Sequence, residues 1–209
     1  VNSLKTADFV PNPQNTAFRD ELGIPRSCKL LASIGRLSPE KGHDPLLRAL
    51  AAARDVCPEL RLVVVGRGAE EGALKSLTAS LGLGDIVHFV GHRGDMTDIY
   101  DSTDLVVQSS TTEGMPNVIL ESLLMKTPVV ATNVGGTSEV VEHARTGYLI
   151  EPGSKEQIVA GLTDFCKHFD RHLEYAARGR DQIVARFNHD DRVQRTADLY
   201  REVAGKGLS

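Results

Sequence analysis

The sequence predicts an α/β domain: a doubly wound, parallel, six-stranded sheet followed by C-terminal helices. Three observations lead there. Short apolar runs alternate with helical patterns between Leu30 and Ile150. Glycines such as Gly35 and Gly66 close the runs. Beyond Pro152 the apolar spacing is helical only. Strands alternating with helices pair in parallel through right-handed crossovers, and six of them suit a doubly wound domain.

Residues 1–27 are irregular, with Pro11-Asn12-Pro13 and Gly23-Ile24-Pro25 as breakers and space for a short helix over 15–22. We read 1–27 as a linker from another domain, 28–190 as the sheet domain, and 191–209 as a helix packing back toward that other domain. Leu30-Leu31-Ala32-Ser33-Ile34 is a buried strand by its length and by the glycine that ends it. Residues 43–56 carry Leu46, Leu47, Leu50 and Ala53 at helical spacing. Leu60-Arg61-Leu62-Val63-Val64-Val65 is the most strand-like run in the chain. A helix over 69–81 ends at Gly82, and strands at 86–90 and 105–107 flank a short helix at 95–100. A helix over 116–126 precedes the strand Val129-Val130-Ala131-Thr132; a short helix covers 137–142, and Tyr148-Leu149-Ile150 is the last strand. Helices over 155–168, 171–186 and 190–204 close the chain, Asp190-Asp191 placing negative charge at the start of the last. The pattern is Rossmann-like.

Composition narrows the function classes. With 209 residues, 41% hydrophobic and 25% charged, the chain can bury a good core. A net charge of -4 argues against a nucleic-acid partner, which asks for a basic stripe. The cysteines, Cys28, Cys57 and Cys166, are scattered and form no Cys-x-x-Cys pair. A disulfide or metal framework is therefore not expected, and a reducing, cytoplasmic setting is. No apolar run reaches the roughly eighteen residues of a membrane span. His168 and His172 stand four apart without the glutamate of a zinc-protease helix, and read as a surface pair. His43, just past Lys41-Gly42, is close enough to the strand ends to be a site candidate. The chain starts Val1-Asn2-Ser3 without an initiator Met, which suggests a piece of a longer protein.

The stretch richest in chemistry runs from Ser109 to Glu121 and sets Glu113 and Glu121 on either side of Gly114-Met115-Pro116. Pro116 suits the first helical position. The N–H groups of Asn117 and Val118 then leave the helix start with the positive end of its dipole, which makes an anion site. Glu121, four residues after Asn117, shares its helix face and interrupts an apolar run. A carboxylate there needs a partner, and sugar hydroxyls are good ones. Taken alone, Glu113 could merely complement the dipole and Glu121 could surface on an exposed face. Arg36 and Lys41 could likewise be solvated loop charges. Gly66-Arg67-Gly68 has one residue too many before Gly72 for a dinucleotide fingerprint and follows the second strand, so no nicotinamide or flavin cofactor is expected.

Together these pieces resemble the donor-binding half of the retaining glycosyltransferases often called family 4, or group 1, which have the two-domain GT-B architecture. The Glu-x7-Glu motif of that family matches Glu113 to Glu121. Its Arg…Lys-Gly element matches Arg36 to Lys41-Gly42, and its Gly-x-Gly turn matches Gly66-Arg67-Gly68. Val87-His88-Phe89-Val90-Gly91, Gly135-Gly136-Thr137-Ser138-Glu139 and Gly147-Tyr148-Leu149 match three further elements. Where the family often has Pro-Asn-Gly, this chain has Pro11-Asn12-Pro13.

The resemblance implies transfer of a hexosyl group, with retention, from a UDP- or GDP-sugar to a glycan or lipid-linked hydroxyl, as in polysaccharide biosynthesis, without metal or cofactor. Arg36 and Lys41 would clamp the donor diphosphate, with Gly68 beside it. Glu113 would contact the donor sugar and, with Arg36 and Lys41, make up the catalytic set. Gly114, Met115, Pro116, Asn117 and Val118 would bind sugar and phosphate, and Glu121 the ribose hydroxyls. The loop His92-Arg93-Gly94-Asp95 would hold the base, Arg93 through its backbone and Asp95 as a side-chain acceptor. The acceptor, and any membrane contact, would come through a missing N-terminal domain. Two other functions fit the same fold: a sugar-nucleotide epimerase, and a non-catalytic interaction module.

Overall fold

The computed structural model describes residues 6–187 of the chain. Its six strands are β1 (Lys29–Ile34), β2 (Leu60–Val65), β3 (Val87–Gly91), β4 (Leu105–Gln108), β5 (Val129–Thr132) and β6 (Tyr148–Ile150). They pair in parallel in the order β3-β2-β1-β4-β5-β6. This is the doubly wound sheet that the alternation of runs predicts.

Side chains along a strand alternate between faces, and here both faces are apolar. Leu30, Ala32, Val63, Val65, Val106, Val129 and Ala131 belong to one core, while Leu31, Leu62, Val64, Leu105, Val107 and Val130 belong to the other. The first core is covered by α1 (Ala17–Leu22), α4 (Met96–Ser102), α5 (Asn117–Leu124), α6 (Thr137–Val140) and α8 (Phe169–Phe187). The second is covered by α2 (His43–Ala53), α3 (Glu71–Ser80) and α7 (Lys155–Lys167). Helix α2 buries Leu46, Leu47 and Leu50 at helical spacing, each a gain of about 2 kcal/mol relative to exposure.

Residues 6–28 are tied to the sheet domain. Arg19 is buried; its Nε donates to the Ser102 carbonyl at 2.7 Å and its Nη1 to the Cys28 carbonyl at 3.1 Å. Its guanidinium also pairs with Asp104, whose Oδ2 accepts the Leu30 N–H at 2.7 Å. The Asn12 N–H donates to Asp101 Oδ1 at 2.8 Å.

The structure departs from the sequence reading at one helix start and at one pair of histidines. Pro116 is not the first helical residue of α5: it precedes the helix with ψ 97°, because the proline ring fixes φ and leaves ψ free. His168 and His172 are not a surface pair. The chain breaks between α7 and α8 at His168, whose φ is -133°. That break leaves His168 exposed and turns His172 inward, 0% exposed, with Nε2 2.9 Å from Asp164 Oδ2. Phe165, Tyr148 and Tyr175 surround its ring. The expected helix over 190–204 and the segment 191–209 lie outside the described residues.

Candidate functional site

The strand order reverses between β1 and β4, which lie side by side. In an open parallel sheet the loops leaving two such strands part to opposite faces and open a crevice at the carboxyl ends. The loop after β1 (35–42) and the loop after β4 (109–116) meet there and are stitched together. Ser109 Oγ donates to the Gly42 carbonyl at 2.7 Å, and the Thr111 N–H to the Glu40 carbonyl at 2.8 Å. Lys41 Nζ and Glu113 Oε1 are 2.6 Å apart.

Two glycines make this approach possible. Gly42 has φ +67°, and a Cβ on it would run into the Ser109 carbonyl. Gly135 has φ +51°, and a Cβ on it would run into the Glu113 carbonyl. The neighbouring Gly136 N–H donates to the Gly114 carbonyl at 2.8 Å, so the Gly135-Gly136 turn grips the glutamate loop from behind.

Two adjoining cavities occupy the crevice and share Ile34, Gly35 and Arg36. The first, about 500 Å³, takes in Lys41, Gln108, Glu113 and the residues from Gly114 to Val118. The second, about 570 Å³, takes in Arg67, His92, Arg93, Met96 and Glu121. Both are of small-ligand size. A third cavity of about 530 Å³ lies at the amino ends of β4 and β5, beside Pro13, Thr127 and Phe169, and contains none of Arg36, Lys41, Glu113 and Glu121.

Arg36 is exposed, and among the described residues its guanidinium makes no hydrogen bond or ion pair. Its backbone is held by His43, whose Nε2 lies 3.2 Å from the Arg36 carbonyl and whose Nδ1 lies 3.1 Å from Ser33 Oγ. A carbonyl can only accept, so Nε2 carries the proton and Nδ1 accepts from the serine hydroxyl. His43 is 2% exposed, and burial pushes its pKa down. It is a neutral pin behind the Arg36 loop and touches neither cavity, which corrects its reading as a site candidate.

Glu113 accepts from Lys41 and from Ser110 Oγ at 2.7 Å, so the two residues read as separate ligand contacts meet each other here. Glu121 stands in the second cavity and accepts from Tyr100 Oη at 2.7 Å. Burial pushes the Glu121 carboxyl up, and the Tyr100 bond pulls against it. Tyr100 is 1% exposed; burial and the facing carboxylate push its hydroxyl well above the ordinary range. The sequence reading missed Tyr100, because nothing in the local pattern of α4 separates it from a core aromatic.

Asp95 is not the open acceptor expected for a base. The Arg93 guanidinium spans it, at 2.9 and 2.6 Å, and also grips Glu21 at 2.7 and 2.9 Å. That hydrogen-bonding holds the Asp95 carboxyl below its usual range. Arg93 still reaches the second cavity beside His92, whereas Asp95 and Gly68 line neither. Gly68 instead lets the loop press on Leu37, whose carbonyl a Cβ would meet. The arrangement thus joins two cations and a helix start, suited to an anion, with two carboxylates suited to hydroxyls. Among the described residues no three His, Cys, Asp or Glu side chains gather to hold a metal, and no helix is long and apolar enough to cross a membrane.

The family model for glycosyl transferases group 1 matches residues 14–182. A Haemophilus influenzae protein named an uncharacterized glycosyltransferase is 33% identical over 172 residues, 82% of this chain and 48% of that protein. The D-inositol 3-phosphate glycosyltransferase of Thermobispora bispora is 34% identical over 205 residues, 93% of this chain and 47% of that enzyme. Anabaena HepE, solved in complex with UDP, superposes with a TM-score of 0.89 at 27% identity, covering 96% of this chain and 56% of its own. HepE has also been solved with UDP-glucose. The chain spans about half the length of the curated relatives it matches.

Proposed function

Since the chain belongs to the glycosyl transferases group 1 family, we propose that it is the donor-binding half of a retaining glycosyltransferase, moving a sugar from a nucleoside diphosphate sugar to a glycan or lipid-linked hydroxyl. The observation that supports this most is the meeting of Arg36, Lys41, Glu113 and the start of α5 in one crevice where the strand order reverses. The HepE complexes with UDP and UDP-glucose favour uridine as the base.

In the proposed reaction the bond between the anomeric carbon and the diphosphate oxygen breaks, and a bond from that carbon to the acceptor oxygen forms on the same face. The acceptor proton passes to the departing phosphate. Negative charge gathers on the diphosphate, and Arg36, Lys41 and the α5 start stabilise it there. Lys41 is paired with Glu113 beforehand, so donor binding divides that pair: the ammonium turns to phosphate and the carboxylate orients the sugar. Glu121 accepts from the ribose hydroxyls. Two cations of the chain carry the diphosphate charge, so the reaction as proposed calls for no metal, and a chelator leaves nucleotide affinity unchanged. The acceptor is bound by a second domain, so the 209-residue chain alone binds donor and transfers nothing.

Calorimetric titration of the chain with UDP, GDP and ADP tests this. We expect one nucleotide, UDP, to bind, and Arg36→Ala and Glu121→Ala each to weaken it about tenfold or more. No nucleotide binding to the native chain, or indifference to both substitutions, would overturn the donor-site reading.

A further inference from the structure

We propose that Gln108 contacts the sugar of the donor, its side-chain amide exchanging hydrogen bonds with a pair of sugar hydroxyls; this rests on the donor-site reading above. The strand β4 runs Leu105-Val106-Val107-Gln108, three apolar side chains and then a primary amide. Gln108 sits at the carboxyl end, paired in register with Ala131, on the face that Val106 shares with the first core. It is 7% exposed and lines the first cavity with Arg36, Lys41 and Glu113. Neither Nε2 nor Oε1 has a hydrogen-bond partner among the described residues.

The neighbouring polar groups are already engaged. Ser109 Oγ donates to the Gly42 carbonyl, Ser110 Oγ to Glu113, and Thr132 Oγ1 to the Ser110 carbonyl at 2.6 Å. An amide desolvated without partners is destabilising, so the fold holds one in the cavity wall at a cost that a ligand can offset once the side chain turns to meet it. The identity of the ligand group follows from the inventory of donors and acceptors. Phosphate oxygens only accept; they could satisfy the NH2 but would set Oε1 against negative charge. A hydroxyl both donates and accepts, so two hydroxyls on adjacent ring carbons satisfy both ends of the amide. Glu113, on the same cavity wall, is the natural acceptor for a further hydroxyl. Gln108 therefore discriminates the sugar, where Arg36 and Lys41 hold the diphosphate.

The test compares ligands with and without the sugar. The native chain, Gln108→Leu and the closer-shaped Gln108→Met are titrated with UDP and UDP-glucose, and with GDP and GDP-mannose. We expect both variants to lose about tenfold in affinity for the sugar nucleotide and to stay within about twofold for the free diphosphate. We also expect the unliganded variants to melt higher than the native chain, since an unpaired buried amide has been removed. Equal losses for both ligands, or no loss for either, would overturn the inference while leaving the donor site standing. Failure of the native chain to bind any nucleotide would instead sink the donor-site reading and this inference with it.

Discussion

Glu121 owes its properties to burial among apolar neighbours and to one tyrosine. Its carboxyl is pushed up by burial, and the Tyr100 hydroxyl, 2.7 Å away, pulls it back. In its proposed role as acceptor for the ribose hydroxyls, Glu121 works only while ionised. UDP affinity should therefore fall on acidification at a pH above the ordinary glutamate range, near 4.3. Removing the tyrosine bond removes the pull toward the ionised form. In Tyr100→Phe the acid limb of UDP affinity shifts to higher pH; calorimetry across pH 5 to 8 measures it, and an unmoved limb would mean that Tyr100 only fills space. Glu113 and Glu121 are legible in the sequence as a spaced pair of acids, whereas Tyr100 is not, because its role depends on α4 packing beside α5. Asp95 was legible only as an acid in a loop. Its partner Arg93 also reaches Glu21, 72 positions away, which no local pattern foretells.

At the scale of elements, the site is a junction of loops held in place by tight backbone approach. Gly135 supports the Glu113 carbonyl at a left-handed φ that an L-residue adopts only at about 1–2 kcal/mol, before any clash. Gly135→Ala should therefore lower the melting temperature by several degrees and weaken UDP by displacing the Glu113 loop. Thermal scans with and without UDP check this, and an unchanged shift on adding UDP would show that the loop keeps its place. The helix that opens this loop is anchored by Ile119, Leu120, Leu123 and Leu124, all 0% exposed. Its apolar spacing is plain in the sequence, as are the strand runs and the glycines that end them. The break near His168 is legible too, between the helices read over 155–168 and 171–186, but the burial of His172 just beyond it is not: it depends on Phe165, Tyr148 and Tyr175 closing around the ring.

Across the whole molecule, burial keeps several histidines neutral, and that makes stability depend on pH. His43, His172 and His88 all have pKa values pushed down, burial being the largest cause in each. Below about pH 6.5 the unfolded chain takes up protons at these positions that the folded chain refuses, so stability falls as the pH drops from there. Glu121, with its pKa raised, acts in the opposite sense: the folded chain takes its proton first, and this adds stability as the pH falls toward the ordinary glutamate value. Asp101, also raised by burial, acts with Glu121, but both carboxyls start from ordinary values well below this range while the histidines start from about 6.5, so the net is a loss between pH 7.5 and 5.5. Urea unfolding at the two pH values should show it, and His172→Gln should flatten the slope; a slope of the other sign would mean that the carboxyl side dominates.

What the sequence by itself determined is local: the alternation of strands and helices, the glycine turns, the anion-suited start of α5, and the spacing of Arg36, Lys41, Glu113 and Glu121. These follow from side-chain periodicity and turn chemistry, which act between near neighbours in the chain. What only the tertiary structure decided is which groups meet. Lys41 pairs with Glu113 across 72 positions because the order β3-β2-β1-β4-β5-β6 lays β4 against β1 rather than against β3. The same packing brings Tyr100 of α4 to Glu121 of α5 and leaves the Gln108 amide without a partner in the crevice. Pairing of this kind is set by packing over the whole sheet, to which no single stretch of sequence has access.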